Sequence, residues 1–366
     1  MVSASQGLEP LNELGFYMLA GHTNEPRDLL AQVADAEAMG LGAAFISERF
    51  NVKDAPTLCG AAAAASERMG IATAATNHNT RHPMITATFG MTMHKLTGGR
   101  FSLGLGRGMS LLFKAMGLKP VTSAQLEAAA DLMRRLWRGE KIPGYDSPLG
   151  QYPYLQLLDD YNERIPVSMV AMGEKTLELA GRCMDAVYLH TYFDDSAVEK
   201  SLAAVRRGAE AAGRDPSEVR VWSILCTVGD HIEEPLRLKK TVGRMASYLR
   251  GYGDLLVEVN DWDPAALERF RADEFVQNFK GSFDAVATTE ELEYLAEIIP
   301  EAWLETAAMG TPEQCAAAVQ HQLDLGCDSV ILHGATPQEL APILPAYRGI
   351  RRAEMAAKPA NPGWNQ

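Results

Sequence analysis

The sequence repeats one unit eight times, in which a short apolar run is followed by a stretch with helical periodicity. The runs lack a polar–apolar alternation, which is typical of parallel strands buried on both faces. They lie at residues 14–20, 43–47, 70–76, 101–106, 166–171, 186–190, 219–229 and 328–333. Because eight such units can close a ring, we predict an α/β fold, the (β/α)8 TIM barrel. A doubly wound open sheet is the alternative.

The last unit carries clear helix-boundary signals. Thr311 and Gln314 have the spacing of a capping box, and Pro312 occupies the first helical position. Gly326 then ends the predicted helix before the eighth apolar run.

Two segments are longer than ordinary barrel loops, and we predict them to be insertions after strand 4 and strand 7 of a single domain over 1–366. Residues 139–165 have no helical period and are predicted to be a long loop. Residues 231–308 are predicted to contain three helices, near 235–250, 264–280 and 289–299. Long insertions often form lids or partner surfaces, so we expect the second one to contribute substrate walls. The alternative is a helical rim with only a structural role.

Composition limits the partners. The chain has 47 acidic and 34 basic residues, a net charge of −13, which argues against nucleic acid as a partner. The first apolar run, "GFYMLAG", is too short for a signal peptide or a membrane span. The five cysteines include no C-x-x-C pair and are typical of reduced thiols. We therefore expect a cytoplasmic protein that acts on a small molecule.

The segment "GRFSLGLGRG" (99–108) places three glycines at the end of the fourth predicted strand. Their spacing and position do not fit the dinucleotide-binding fingerprint, and no G-K-[ST] follows for a phosphate loop. We expect Gly106 and Gly108 to let the backbone approach a flat ligand, with Arg107 supplying charge. The alternative is a glycine-containing strand in a crowded barrel, with Arg107 solvated.

Six of the eight histidines fall at or just after the carboxyl ends of predicted strands, where barrel active sites are assembled. These are His22, His78, His82, His190, His231 and His333. Glu48 and Arg49 follow the second strand at the same end. We interpret this group as a functional face.

A metal site is not predicted. The early His-x-His pair of zinc barrel hydrolases is absent from the sequence. His78 and His82 are four residues apart, but Pro83 disfavours helical geometry at His82, so the two rings are not expected to share a helix face.

Three blocks of sequence resemble the bacterial luciferase-like flavin oxidoreductases, specifically the branch that uses coenzyme F420. They are "MGIATAATNHNTRHPMITATFGMTMHKLTGGRFSLGLGRG" (69–108), "RIPVSMVAMGEKTLELAGRCMDAVYLH" (164–190) and "MGTPEQCAAAVQHQLDLGCDSVILHG" (309–334). The resemblance implies a single barrel with a tricyclic cofactor ring at the carboxyl-terminal mouth. It also implies that the protein can form a homodimer.

The resemblance implies roles for residues at two sides of the cofactor. A non-proline cis peptide at Ala74-Ala75 would lie behind the ring, and Thr76 and Asn77 would face its polar edge. The phosphate-bearing tail would lie at a helix start, where free N–H groups favour anions. The residues implied there are Arg107, Gly108, Met109, Ser110, Met172, Gly173, Glu174, Lys175 and Thr176.

One position departs from the sugar-phosphate dehydrogenase relatives, which have an acid–histidine pair after strand two. This chain has Glu48-Arg49, and an arginine cannot act as a general base. A cation there favours the negative charge that develops when hydride reaches an activated C=C, C=O or C=N bond. We therefore predict a reductase, with His190, Tyr192 or His22 as the proton donor. The alternative role for Glu48 and Arg49 is a mutual ion pair.

Three functions stay open from the sequence. The first is hydride transfer between coenzyme F420 and an organic substrate. The second is an FMN-dependent luciferase-like monooxygenase, since FMN shares the ring shape and the phosphate side. The third is a non-catalytic flavin-binding protein of the same fold.

Overall fold

Eight parallel strands close into a barrel, which confirms the predicted fold class. The computed structural model describes residues 8–108, 110–158 and 160–366, so the predicted cofactor contact Met109 lies outside the described residues. The barrel strands are β1 (Leu11–Tyr17), β2 (Leu41–Ile46), β3 (Gly70–Thr73), β4 (Phe101–Leu105), β7 (Val167–Val170), β8 (Ala186–Tyr188), β9 (Arg220–Gly229) and β11 (Ser329–His333). β8 pairs with β9, and β9 with β11, so the ring has no free edge.

Helices cover the outside of the barrel, as parallel strands buried on both faces require. They are α1 (Asp28–Ala38), α2 (Ala55–Ala64), α3 (Pro83–Thr97), α4 (Ser110–Ala115), α5 (Ser123–Trp137), α6 (Glu174–Cys183), α7 (Asp195–Ala211), α8 (Glu234–Leu238), α9 (Arg244–Asn260), α10 (Pro264–Ala272), α11 (Glu274–Asn278), α12 (Phe283–Val286), α13 (Thr289–Ile298), α14 (Glu301–Leu304), α15 (Pro312–Asp324), α16 (Pro337–Leu340) and α17 (Ile343–Ile350). The predicted capping box of Thr311 and Gln314 is present at the start of α15.

The insertion after β4 differs from its prediction. Residues 139–165 contain an antiparallel hairpin of β5 (Ile142–Ser147) and β6 (Gly150–Leu155), in which Tyr145 faces Tyr152. The prediction of a plain loop was wrong. The two strands contain proline and glycine, which are uncommon in strands, so the sequence did not show a strand pattern. A further short strand, β10 (Ala308–Gly310), lies beside β9.

The insertion after β9 is helical, as predicted, but more broken. A π-helical turn (Lys239–Gly243) joins α8 to α9, and α9 is kinked at Tyr252, whose φ is −153°. Aromatic side chains pack this region against itself, with Phe279 and Phe283 stacked at 4.3 Å between ring centroids. The kink and the π turn set the directions of the side chains that α9 sends toward the barrel mouth.

The barrel interior is filled by side chains. Phe45 makes edge-to-face contacts with Tyr188 and Trp222, with centroids 5.3 and 5.0 Å apart. All three are fully buried. The barrel is therefore a packed core, and ligands must bind at an end of it.

The amino-terminal end of the barrel is sealed by the segment 359–364, which we call the basal seal. Arg220, fully buried at the start of β9, donates hydrogen bonds of 3.1 Å to the carbonyls of Pro359, Asn361 and Trp364. Asn361 in turn donates to the carbonyl of Phe101 at 3.0 Å. The sealed lower end leaves the carboxyl ends of the strands as the place for a functional site.

Candidate active site

The carboxyl ends of the strands bring together residues from four of the eight units, which we call the mouth. Tyr17 ends β1 and His333 ends β11, and their rings meet edge to face at 5.3 Å. Glu48 and Arg49 follow β2, and His190 follows β8. The predicted convergence of these strand ends is confirmed.

The wall behind the mouth is formed by backbone. The Ala74-Ala75 peptide is cis, at the position that the family resemblance implied. The Tyr17 hydroxyl donates to the Ala74 carbonyl at 3.0 Å, and the amide of Glu48 donates to the Ala75 carbonyl at 3.2 Å. A Cβ at Gly106 would lie 2.9 Å from the Ala75 Cβ, so only glycine fits behind this wall.

Glu48 is buried in a dense set of donors. Its carboxylate accepts hydrogen bonds from Thr76 Oγ1 at 2.5 Å, Asn77 Nδ2 at 3.2 Å and Arg81 Nη1 at 3.1 Å. Arg81 also pairs with it through Nη2. The alternative of a Glu48–Arg49 ion pair is therefore wrong, because Arg81 takes the carboxylate. The hydrogen bond to Glu48, stronger than the effect of burial, raises the pKa of Arg81.

Two cations of the mouth have no carboxylate partner within the described ranges. The half-buried Arg49 makes no side-chain hydrogen bond there. Lys53 is only 4% exposed and donates to the carbonyls of Leu19 and Gly21, the latter at 3.0 Å. Burial, with the charges of Arg49 and Arg244, lowers the pKa of Lys53 to about 7.

A charged triad lies where α9 and α12 meet the mouth. His22 Nε2 and Arg244 Nη2 each lie 2.9 Å from Asp284 Oδ2. Burial raises the pKa of Asp284, but the hydrogen bond from His22 and the charge of Arg244 outweigh it and leave that pKa below its usual range. Asp284 thus fixes the orientation of the half-exposed His22 ring.

His190 lies among aromatic rings. Tyr248 and Tyr252 each lie 5.1 Å from it between centroids, and Phe193 lies at 6.5 Å. Burial lowers the pKa of His190 to about 4, despite its hydrogen bond to the Thr191 carbonyl. The ring is therefore neutral at pH 7 and accepts or donates through its tautomer rather than as a cation.

Tyr192 points away from the mouth. It is 1% exposed, and its hydroxyl donates to the Thr241 carbonyl at 3.1 Å. Burial raises its pKa well above the usual value. Of the three predicted proton donors, His22 is exposed, whereas the Tyr192 hydroxyl is buried and bound to backbone.

The predicted phosphate side is assembled from two loops. Arg107 donates to the Val121 carbonyl at 2.9 Å, to Ser123 at 2.7 Å and to Thr176 at 3.4 Å. Thr176 belongs to α6, whose first residue follows Gly173, and no side chain caps that helix start. Arg107 and free amide groups thus lie close together, as an anion site requires.

The other residues predicted for the phosphate side of the cofactor lie in different environments. Gly108 has φ of +62°, and a Cβ there would meet the Phe113 ring at 2.6 Å. Ser110 opens α4, and Met172 is half-buried beside Gly173. Lys175 is exposed, and the exposed Glu174 pairs with Arg207, so both lie at the rim.

Sequence reasoning missed Lys53, Arg244 and Asp284. Arg244, Tyr248 and Tyr252 are spaced by four, which puts them on one face of α9. That spacing was the available signal. For Lys53 and Asp284 no local pattern exists, because their partners are distant in sequence.

Two of the other predicted histidines, His82 and His231, bind backbone groups. His82 Nδ1 accepts from the Met84 amide at 3.2 Å, and His231 Nε2 lies 2.8 Å from the Glu339 carbonyl. No cluster of three or more histidine, cysteine or acidic side chains suited to a metal is found in residues 8–108, 110–158 and 160–366. Within the same ranges, no helix has the length and apolar character needed to cross a membrane.

The molecule is a closed (β/α)8 barrel that has a cis peptide at its mouth and Arg107 beside the start of α6. Residues 12–329 match the luciferase-like monooxygenase family, and the chain belongs to that family.

Relatives and solved structures agree with this assignment. The 5,10-methylenetetrahydromethanopterin reductase of Methanolobus tindarius is 28% identical over 84% of this chain and 91% of its own length. The F420-dependent glucose-6-phosphate dehydrogenase of Amycolatopsis mediterranei is 24% identical over 84% of this chain and 89% of its own. The structure of the coenzyme F420-dependent tetrahydromethanopterin reductase from Methanopyrus kandleri superposes with a TM-score of 0.76 at 19% identity, covering 93% of this chain and 99% of that one.

Proposed function

We propose that this protein is an oxidoreductase that transfers hydride between coenzyme F420 and an organic substrate, in the direction of reduction. Two relatives similar over most of their length are named as a methylenetetrahydromethanopterin reductase and an F420-dependent dehydrogenase. The observation that carries the proposal is the pairing of the Ala74-Ala75 backbone wall with the Arg107–Thr176 loop pair at one mouth. A flat ring with an anionic tail is the ligand that such a pair accommodates.

The residues present fit the cofactor. The wall offers backbone and small side chains, so a planar ring can lie against it without a side chain intervening. The uncapped start of α6 supplies free amides, and Arg107 supplies a guanidinium for a phosphodiester. Burial lowers the pKa of Arg107, but arginine side chains stay charged in proteins. When bound, coenzyme F420 supplies a hydride to the substrate.

The chain's own residues account for the rest of the reaction. Arg49, without a carboxylate partner among the described residues, stabilises negative charge that develops on the substrate. We assign the delivery of a proton to His22, whose Nε2 lies 2.9 Å from Asp284 Oδ2. The aromatic residues of α9 and the ring of His190 restrict water at the mouth.

Cofactor titration tests this proposal. We expect wild type to bind F420 at least tenfold more tightly than FMN. Arg107→Ala should weaken F420 binding about tenfold or more, because one charged hydrogen-bonding group is worth roughly 1.5–3 kcal/mol. Arg138→Ala is the matched control. Arg138 is exposed and follows the last residue of α5, whereas Arg107 contacts Ser123 at the first, so this change should leave the affinity for F420 unchanged.

Turnover distinguishes the alternatives. Without oxygen, reduced F420 should be consumed by a ketone, imine or activated alkene. Tight FMN binding with oxygen-dependent product would favour a monooxygenase. Tight F420 binding with no turnover across a broad panel would favour a binding protein, and no F420 binding would refute the proposal.

A further inference from the structure

The positive charges at the mouth are not balanced by the carboxylates around them. Arg49 and Lys53 have no carboxylate partner among the residues that the structure describes. Other cations of the mouth region do have one. The pairs are Arg81–Glu48, Arg244–Asp284 and Lys240–Glu339. The full charge of Arg49 and the partial charge of Lys53, whose pKa is about 7, are thus unmatched, although the whole chain has a net charge of −13.

The unmatched charges lie close to one another. The amide of Arg49 donates to the Lys53 carbonyl at 3.1 Å, so both side chains belong to one tight loop after β2. Burial, and after it the charge of Arg49, lowers the pKa of Lys53. Arg49 itself is half-buried, so its guanidinium is partly withdrawn from bulk solvent but still open to a ligand.

A structural role explains only part of this arrangement. Two backbone carbonyls accept hydrogen bonds from Lys53, which fixes the loop after β1. Those carbonyls do not neutralise its charge, and a buried cation without an anion is costly. Arg49 has no such structural partner among the described residues, so its charge is left for a ligand.

The side chains around Arg49 and Lys53 indicate the chemical character of the rest of that ligand. The rings of Tyr17 and His333 lie 5.3 Å apart on one side, and Tyr248 and His190 lie 5.1 Å apart on another. Burial lowers the pKa of both histidines, His333 well below its usual value, so they add no charge at pH 7. The walls are thus aromatic and neutral, and the unmatched charge is concentrated at Arg49 and Lys53.

We propose that Arg49 and Lys53 form an anion subsite for a carboxylate on the substrate. The substrate class is then a ketone, imine or activated alkene that carries a carboxylate near the bond to be reduced. A guanidinium matches a carboxylate in a bidentate manner. The carboxylate is unchanged in the reaction: hydride adds to one atom of the double bond and a proton to the other. The reaction rests on the proposed function, whereas anion binding does not.

Binding of a probe to the cofactor-free protein tests the subsite directly. Benzoate and benzamide differ in charge but little in shape, and isothermal titration at low salt compares them. We expect benzoate to bind at least tenfold more tightly than benzamide. Arg49→Gln should abolish that preference. Arg182→Gln, which removes an exposed arginine paired with Glu127 on the outside of the barrel, should preserve it.

A second arm separates a substrate anion from a negative charge on the cofactor itself. Benzoylformate and cinnamate are compared with their methyl esters, using reduced F420 without oxygen. We expect Arg49→Gln to raise KM for an acid about tenfold or more relative to KM for its ester, with F420 affinity unchanged. The kcat should fall for acid and ester alike, because Arg49 also stabilises the charge that develops on the substrate. A variant that loses F420 affinity, with acid and ester affected alike, would assign the cation to the cofactor and overturn the proposal.

The binding experiment and the turnover experiment distinguish failure of the subsite from failure of the proposed function. If benzoate and benzamide bind wild type alike, or neither binds, the subsite is refuted whatever the enzyme does. If benzoate binding depends on Arg49 but F420 is neither bound nor consumed, the proposed function is refuted and the anion subsite stands.

Discussion

At the residue scale, the neighbours Glu48 and Arg49 end in different environments. Successive residues at the end of a strand point to opposite sides, so adjacent positions rarely share a partner. Glu48 turns inward to Thr76, Asn77 and Arg81, where its carboxylate holds the loop after β3. Arg49 keeps its charge at the mouth. One residue of the pair thus organises the wall, and the other is available to a ligand.

His190 gives a pH prediction at this scale. Its pKa is about 4 in the folded protein, against an ordinary value of 6.5. Between those values the unfolded chain binds more protons, so the free energy of unfolding should fall as pH drops from 6.5 to 4. Protonation of His190 alone should lower the free energy of unfolding by about 2 kcal/mol over this interval. His190→Phe should therefore lose less stability over this interval in urea unfolding. Parallel curves for variant and wild type would show that His190 is not the group responsible.

At the scale of elements, β3 and β4 approach each other through glycine. A Cβ at Gly104 would lie 1.8 Å from the Thr73 carbonyl oxygen and 2.9 Å from the Tyr188 ring. Gly104→Ala should therefore destabilise the barrel by about 2 kcal/mol or more, because the strands must separate. Gly60→Ala, in α2 with open space around it, should be neutral or slightly stabilising. Equal thermal stability of the two variants would contradict this account of β4.

The glycine-rich segment 99–108 shows what a sequence pattern can predict and what it cannot. Gly104 lies in a crowded strand, as one interpretation of this segment predicted, and the approach of a flat ligand at Gly106 and Gly108 stays a prediction. The periodicity of apolar residues predicted the barrel and most of its helices, because burial is a local property of each strand and helix. The hairpin at 142–155 and the partners of Asp284 were not predictable, because they depend on contacts between distant segments.

At the scale of the whole molecule, the basal seal joins the carboxyl-terminal segment to the start of β4. Asn361 donates to the carbonyls of Gly99 and Phe101 at 2.6 and 3.0 Å and is 6% exposed. Asn361→Ala should lower the free energy of unfolding by about 2 kcal/mol, because two buried carbonyls lose their donor. Affinity for F420 should not change, since the mouth is at the opposite end. Asn278→Ala, at an exposed helical site, is the control and should stay within about 0.5 kcal/mol of wild type.

The position of the basal seal along the chain has a consequence for biosynthesis. All eight barrel strands leave the ribosome before residues 359–364 do. Until then the buried guanidinium of Arg220 lacks its three carbonyl acceptors, and the indole of Trp222 lacks the carbonyl of Pro362. A nascent chain halted at about residue 355 would thus contain all eight barrel strands, but the amino-terminal end of its barrel would be uncovered. We expect such a species to be the one that chaperones retain longest.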